Sequence, residues 1–220
     1  MSRSVTLFAL ALLGGTLYLY ALSTGSSWLA LAAKPVPVLM LLAWLLDAPA
    51  TPYRRRIMLG LGLSILGDLA LAWPNDLFVA GLAAFLCAHL AYLRAYLDKT
   101  RQPAIGALLV AALCGTGLFG LLAWYGLGPL LMPVALYALT ISAMLWRALA
   151  CGGLAGIGAA SFVFSDSLIG IDRFVSPFTA APYLIILFYW LGQWAIAASA
   201  QPARSAGTLT QGATSQHKSV

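Results

Sequence analysis

Four ionisable side chains lie inside long apolar stretches of this sequence. They are Lys34, Asp68, His89 and Asp166. An ionisable group inside an apolar membrane segment costs roughly 2.5–3.5 kcal/mol on insertion scales, so such groups usually face a cavity or one another. One cation, two carboxyl groups and an imidazole are the groups that general acid–base chemistry requires. We therefore take these four residues as candidate catalytic residues.

The composition around them excludes a soluble domain. The chain has 220 residues, of which 62% are hydrophobic and only 8% are charged, and its mean hydropathy is +0.92. Soluble globular domains carry about 25% charged residues. The net charge of +6 comes from scattered Lys and Arg and not from a basic stripe on one face, so no nucleic-acid binding is predicted.

The apolar stretches predict an all-α, polytopic membrane helix bundle of eight transmembrane helices. A membrane-spanning helix needs about 20 mostly apolar residues, and turn or charge signals separate the stretches. Residues 1–200 form the predicted transmembrane domain. Residues 201–220 are polar and rich in small residues, which predicts a disordered cytoplasmic tail. The predicted spans lie near 4–22, 28–46, 57–73, 77–97, 103–124, 128–148, 152–171 and 180–199.

The basic residues predict the orientation of these spans. Of the 12 Lys and Arg, all except Arg173 and Lys34 fall on one side of an eight-span arrangement. Basic residues concentrate on the cytoplasmic side of membrane proteins. Both termini are therefore predicted to be cytoplasmic, and we expect an integral protein of a bacterial inner membrane.

This orientation predicts the depth of the candidate catalytic residues. At about 1.5 Å per helical residue, Lys34, Asp68 and Asp166 lie roughly 8–9 Å below the outer face. A cation and two carboxyl groups at one depth predict a single cluster. His89 lies deeper, at about 18 Å, with Tyr92 one turn further along the same helix face.

A helix break is predicted beside Lys34. Pro35 and Pro37 follow it, and proline removes backbone hydrogen bonds and kinks a helix. The freed carbonyl groups need partners, so this segment is predicted to border a polar cavity. The alternative is that the Lys–Asp pairing is purely structural and fixes the register of the helices.

Several short motifs, in their order along residues 30–195, resemble the lysoplasmalogenase-like, or YhhN-type, family of membrane proteins. The stretch departs from the family pattern at Gly192, where alanine is expected. The motifs are Lys34-Pro35, Gly67-Asp68, the Gly81/Phe85/His89/Tyr92 spacing, Tyr137 with Met144, GAASFVFSDSLIGIDRF (158–174) and FYWLGQW (188–194).

The resemblance implies an eight-span enzyme that hydrolyses the vinyl ether bond of lysoplasmalogens. The substrate is then a lysophospholipid with a vinyl ether chain, taken from among membrane lipids. The products are a fatty aldehyde and a glycerophospho-ethanolamine or glycerophospho-choline. No cofactor and no metal are expected for this reaction.

The residues support an acid-catalysed mechanism for such a reaction. One of Asp68 and Asp166 is expected to stay protonated and to donate the proton, while the other stays ionised beside Lys34. His89 is expected to relay a proton or to orient water. The alternative role of Lys34 is to bind the substrate phosphate, with Arg173 assisting from the rim. The remaining predicted substrate-binding residues are Tyr92, Tyr137, Ser165, Tyr189 and Gln193.

Two other classes of function use the same residues. A proton-coupled transporter of small solutes or lipids also needs intramembrane Asp, Lys and His beside a broken helix. A non-catalytic lipid-binding or scaffold protein is the third hypothesis. Only an enzyme releases aldehyde stoichiometrically from lipid, and only a carrier moves solute between sealed compartments. The oligomeric state is not encoded in a visible motif.

Overall fold

The computed structural model describes residues 2–202, and the regular secondary structure within this range is entirely helical. A single 3₁₀ turn, Gly128–Leu130, precedes the seventh α-helix. The predicted tail lies outside the described residues apart from its first two positions. The helices are α1 (Arg3–Thr24), α2 (Ser27–Ala33), α3 (Val36–Leu45), α4 (Pro52–Ala72), α5 (Phe78–Lys99), α6 (Ile105–Tyr125), α7 (Leu131–Cys151), α8 (Gly153–Phe174) and α9 (Ala181–Ala198).

The second predicted span is divided at the expected position. Helix α2 ends at Ala33 and α3 begins at Val36, with Lys34 and Pro35 between them. Proline has no backbone N–H and its ring clashes with the preceding turn, so the helix cannot run through this point unchanged. The prediction of a break beside Lys34 is confirmed.

Most helical segments are suited to a membrane. Seven of them are long and apolar enough to span a bilayer, with α2 and α3 counted together. Helix α4 is not one of the seven, because the charged residues Arg54, Arg55, Arg56 and Asp68 interrupt its apolar sequence. Large apolar side chains project outward elsewhere: Leu113 and Met132 are each 75% exposed. Such a surface is typical of an integral membrane protein, where lipid covers it.

Ionic and polar contacts of the basic residues gather at one end of the bundle. Arg3 at the start of α1 pairs with Asp47 after α3. Arg56 at the start of α4 pairs with Asp98 at the end of α5. Arg147, near the end of α7, donates to the carbonyl groups of the loop that follows α5. Three of the basic residues that the sequence assigned to one side, Arg3, Arg56 and Arg147, therefore lie at the same end of the described bundle.

Helices α5, α8 and α9 have the largest buried fraction among the candidate spans, and α6 has the smallest. The packing of α8 on α9 is close because Gly158 and Gly192 face each other. A Cβ atom on Gly158 would lie 2.9 Å from the Gly192 carbonyl oxygen. A Cβ atom on Gly192 would lie 3.0 Å from the Gly158 carbonyl oxygen and 3.0 Å from the Phe162 backbone nitrogen, so an alanine at this position would require a small shift of α8 relative to α9.

Candidate active site

Asp166 lies at the centre of one buried polar cluster. It is carried by α8, and its Oδ2 atom accepts a hydrogen bond from the hydroxyl of Tyr137 on α7. The Nε2 atom of His89 on α5 lies 3.3 Å from the same oxygen and 2.8 Å from the Tyr137 hydroxyl oxygen. Side chains from three helices therefore meet at one carboxylate oxygen of Asp166. Both of these contacts are to Oδ2 and neither is to Oδ1.

The hydrogen-bond directions in this cluster define the histidine tautomer. A phenolic hydroxyl has one proton, and Tyr137 donates it to Asp166. The short contact between His89 and Tyr137 therefore requires the proton on Nε2 of His89. This single N–H is shared between the Tyr137 oxygen at 2.8 Å and Asp166 Oδ2 at 3.3 Å, so Tyr137 is the main donor to the carboxylate and His89 adds a weaker, longer contact.

Asp68 belongs to a second polar cluster. It is carried by α4 and is 1% exposed. The Tyr189 hydroxyl on α9 donates to its Oδ2 atom at 2.6 Å. The Lys34 Nζ atom, at the break between α2 and α3, lies 3.7 Å from Oδ1. That distance is too long for a hydrogen bond but places an ammonium directly beside the carboxylate.

An aromatic wall separates the two clusters. Phe162 on α8 packs edge-to-face against His89, with ring centroids 4.8 Å apart. The same ring packs against Tyr189 at 5.3 Å and against Phe85 at 5.9 Å. Sequence reasoning did not single out Phe162, although it lies one helical turn before Asp166 and so shares its face.

The prediction of a single Lys34–Asp68–Asp166 cluster is therefore wrong. Lys34 and Asp68 pair with each other, whereas Asp166 contacts His89. His89, which was predicted to lie deeper, nevertheless contacts Asp166 directly. Helix α8 extends to Phe174, three residues beyond the predicted span, which moves Asp166 inward by about 4.5 Å.

Two predicted substrate-binding residues belong to a buried network beside the Asp68 cluster. The Tyr92 hydroxyl donates to Oε1 of Gln193 at 2.7 Å, and Ser64 on α4 lies 3.5 Å from the same hydroxyl. Both Tyr92 and Gln193 are fully buried. They connect α4, α5 and α9.

Ser165 joins α8 to α9. Its hydroxyl donates to the Ile185 carbonyl oxygen at 2.9 Å, and the side chain is fully buried between α8 and α9. One turn earlier, Ser161 makes the equivalent bond to Phe188 at 2.8 Å. These two serines tie the helices together, and Ser165 is not among the described residues that line the apolar cavity beside Asp166.

An apolar cavity runs beside Asp166 between helices α5, α6, α7 and α8. Its empty space of about 840 Å³ includes open solvent around it, and the enclosed part is much smaller. Asp166 and Tyr137 are part of its wall, whereas Asp68, Lys34 and His89 are not among its lining residues within the described chain. The other lining residues are mainly aliphatic and aromatic. The cavity is therefore suited to a hydrocarbon chain that lies beside the carboxyl group of Asp166.

The rim of this cavity carries an ion pair. Arg173, near the end of α8, donates from Nη2 to Oδ2 of Asp76 at 3.0 Å. The Arg173 guanidinium lies over the Phe78 ring, 3.8 Å from its centroid. Phe78 and Phe174 are both cavity-lining residues, and their rings pack at 6.0 Å. Arg173, the residue predicted to bind phosphate, therefore lies beside one end of the apolar cavity, next to Phe78 and Phe174.

Fold and site together define an integral membrane protein with a buried acid–base cluster on the wall of an apolar cavity. Residues 29–200 match the model of the YhhN family. The chain is 39% identical to lysoplasmalogenase TMEM86B of Homo sapiens over 176 aligned residues. The aligned region covers 79% of this chain and 76% of the relative. The chain belongs to the YhhN family, and the resemblance seen in its motifs is confirmed.

Other relatives carry the same name. A lysoplasmalogenase of Mycobacterium bovis is 38% identical over 164 residues, 69% of this chain and 62% of the relative. Lysoplasmalogenase TMEM86A of Bos taurus is 32% identical over 201 residues, 83% of this chain and 82% of the relative. No solved structure matches the chain significantly.

Proposed function

We propose that this protein is a lysoplasmalogenase that hydrolyses the vinyl ether bond of 1-alkenyl lysophospholipids. The products are a fatty aldehyde and a glycerophospho-ethanolamine or glycerophospho-choline. The observation that carries the proposal is the position of Asp166, which is the carboxyl group on the wall of the apolar cavity. The family and its curated lysoplasmalogenases support an enzyme of this type.

The reaction is acid chemistry. A proton adds to the outer alkene carbon, and the alkene electron pair forms the new C–H bond. The positive charge is then shared by the inner carbon and the ether oxygen as an oxocarbenium ion. Water adds to the inner carbon and loses a proton, which gives a hemiacetal. The hemiacetal releases the glycerol hydroxyl and leaves the aldehyde, so one water is consumed and the site needs one proton donor that is regenerated.

Asp166 is the proton donor in this proposal. Both hydrogen bonds to its carboxyl group end on Oδ2, so Oδ1 is left to hold the proton toward the cavity. When the proton leaves, Tyr137 and His89 stabilise the resulting carboxylate by donating to it. The charge that develops on Asp166 is thus stabilised by groups already in place, which is how active sites lower such barriers.

The same carboxylate then acts as the base. After it has protonated the alkene, Asp166 is ionised beside an oxocarbenium ion and can accept the proton of the attacking water. Retaining glycosidases use one carboxyl group in these two successive roles, and their transition state is also oxocarbenium-like. His89 completes this arrangement by orienting the carboxylate through Nε2.

Asp68 and Lys34 act as positioning residues in this proposal. They lie behind the Phe162 wall and pair with each other. Removing one member of a buried ion pair leaves an uncompensated charge, which is strongly destabilising. The pair therefore fixes the α2–α3 break against α4 and, through Tyr189, supports the aromatic wall on which His89 packs.

The substrate lies with its headgroup at Arg173 and its chain in the cavity. Asp166 and Arg173 are seven residues apart on α8, which is two turns on one face and about 10.5 Å along the axis. Seven bonds join the outer alkene carbon of the substrate to its phosphorus, about 9 Å when extended. A lipid with its alkene at Asp166 therefore reaches Arg173 with its phosphate. Lys34 is already engaged by Asp68 and does not line the cavity.

We also propose that all eight helical segments span a bacterial inner membrane with both termini on the cytoplasmic side. The gathering of basic contacts at one end of the bundle supports this orientation. Helix α4 then spans as well, because it packs lengthwise on α5 and its Asp68 is neutralised inside the protein by Lys34. The Arg173 rim then lies on the opposite side, toward the periplasm.

The test is aldehyde release from a 1-alkenyl glycerophosphoethanolamine by the purified protein in detergent. We expect release by the wild type and its loss in Asp166→Asn. Asp172→Asn is the matched control, because it makes the same change of charge on the same helix but lies near the rim, where Asp172 binds the Phe178 N–H. Absence of aldehyde with protein that melts cooperatively would refute the proposed function.

A proton-coupled carrier is the second candidate function. The observation that favours it is the broken α2–α3 segment next to the buried Lys34–Asp68 pair, since discontinuous helices with ionisable groups are typical of transporters. A proton-flux assay in proteoliposomes distinguishes the two. Flux that depends on Asp68, together with no aldehyde release, would favour the carrier.

A further inference from the structure

We propose that the Asp76–Arg173 pair at the cavity mouth selects lysolipids whose headgroup carries a primary ammonium, so that ethanolamine lipids are preferred. The phosphate binds Arg173 and the ammonium binds Asp76. This inference rests on the proposed function, since it names the headgroup recognised at the same site. It predicts the order of preference ethanolamine, then choline, then a phosphate without an amine.

The pair is complementary to a zwitterion. A guanidinium forms two parallel hydrogen bonds with a phosphate, and a carboxylate accepts charge-assisted hydrogen bonds from a primary ammonium. A trimethylammonium group has no N–H and makes only the charge interaction. The order of the two groups also matches the lipid, because Arg173 follows Asp166 along α8 whereas Asp76 approaches from the loop between α4 and α5.

A lipid headgroup can replace the contact between Arg173 and Asp76. The side chains of Arg173 and Asp76 are 38% and 69% exposed, and exposed ion pairs contribute little to stability. A lipid headgroup can therefore replace the mutual contact without a large loss. Four bonds separate phosphorus from the ammonium nitrogen, about 5 Å when extended, and the long Arg173 side chain can move by this amount.

Two local features hold Asp76 in place and keep it charged. Its backbone has φ of 49°, the left-handed region that aspartate and asparagine adopt more readily than most residues. The Arg173 guanidinium, through its hydrogen bond and its charge, holds the pKa of the Asp76 carboxyl below its usual range. Asp76 is therefore an anion throughout the physiological range of pH.

The pair is continuous with the cavity. Arg173 lies over the face of Phe78, and Phe78 packs on Phe174, and both rings line the cavity. The end of the cavity formed by these two rings therefore adjoins the ion pair. A headgroup bound there is the other end of a molecule that passes Asp166.

The first experiment compares kcat/KM for a 1-alkenyl glycerophosphoethanolamine with that for the corresponding 1-alkenyl glycerophosphate. In Asp76→Asn we expect this ratio to fall by about five- to tenfold, because one charge-assisted hydrogen bond to the ammonium is lost at a partly exposed site. Asp172→Asn removes a carboxylate from the same rim and should keep the wild-type ratio. An unchanged ratio in Asp76→Asn would overturn the inference.

A binding experiment separates this inference from the proposed function. Saturated 1-O-hexadecyl glycerophosphoethanolamine and 1-O-hexadecyl glycerophosphate have no vinyl ether and cannot be cleaved. Their affinities for the full chain are measured by calorimetry in detergent, with the wild type and Asp76→Asn. We expect a preference for the ethanolamine lipid that Asp76→Asn removes. Equal affinities in the wild type would overturn the inference, whether or not aldehyde is released from vinyl ether lipids.

Discussion

Replacing Asp166 with asparagine should remove most of the turnover and leave the protein folded. The substitution is isosteric, and Tyr137 and His89 both donate to Oδ2, so the amide oxygen of asparagine will occupy that position. The amide nitrogen then replaces Oδ1 toward the cavity. An amide cannot deliver a proton to an alkene carbon and recover it from water, so the variant changes the proton transfer and little else.

The expected loss of kcat follows from the loss of general acid–base catalysis by Asp166. Positioned general acid–base groups contribute about 10²- to 10⁴-fold to the rate. We expect kcat of Asp166→Asn to fall about 10³-fold, which corresponds to a barrier about 4 kcal/mol higher. KM should change little, because the cavity walls and Arg173 are unchanged. The contacts that bind the ground state and the transition state equally therefore remain.

The assay is initial-rate aldehyde release from 1-alkenyl glycerophosphoethanolamine in detergent micelles. Asp172→Asn and the wild type are run at the same protein concentration, and a thermal melt of each variant reports folding. Asp166→Glu should restore part of the rate, because it restores the proton. If Asp166→Asn melts like the wild type and retains more than about a tenth of kcat, Asp166 is not the acid and the mechanism is refuted.

Three further predictions follow from the contacts around the site. Tyr137→Phe removes one donor to the Asp166 carboxylate and should lower kcat about tenfold, measured with the same aldehyde assay; an unaltered rate would contradict its role. Lys34→Met leaves the Asp68 carboxylate buried without its cation and should destabilise the protein by about 3–5 kcal/mol, whereas adding Asp68→Asn should recover much of this loss in a thermal melt. Because the pKa of Asp76 is lowered by Arg173, its charge is present above the ordinary carboxyl range and is lost only as the pH falls through the lowered value. The ethanolamine-to-choline kcat/KM ratio should therefore stay constant from about pH 8 down to pH 5, because both substrates are phosphodiesters that keep their charge over this range, and a ratio that falls within that range would show that Asp76 is not the group that binds the amine.

The spans and their breaks were largely predictable because they depend on neighbours in the chain. Hydropathy over about 20 residues locates a membrane helix, and the eight predicted stretches coincide with the helical segments. The Lys34-Pro35 break was predictable for the same reason, since proline acts on its own turn. The predicted end of the seventh span missed Asp172, Arg173 and Phe174, because charged residues there lower hydropathy while α8 continues at the rim.

The partners of the ionisable residues were not predictable in this way. Sequence reasoning selected Asp68, His89, Asp166 and Lys34 because each is costly in an apolar helix. It assigned Lys34, Asp68 and Asp166 to one cluster from depth alone. Depth is one coordinate, and the other two depend on the rotation and lateral position of each helix. The Phe162 ring, which separates Asp68 from Asp166, has no signal of its own in an apolar stretch.

The sequence by itself determined the class of this protein and its reactive groups. The small number of charges and the regularly interrupted apolar stretches indicate a membrane helix bundle. Ionisable residues within such stretches are costly unless they have a polar partner or a functional role. The tertiary structure decided which carboxyl group meets the substrate. Asp166 faces the apolar cavity beside Tyr137, while Asp68 is enclosed with Lys34 and Tyr189. The physical reason is that hydropathy is a local property of the chain, whereas a cavity exists only between helices distant in sequence, and its position depends on how their side chains pack.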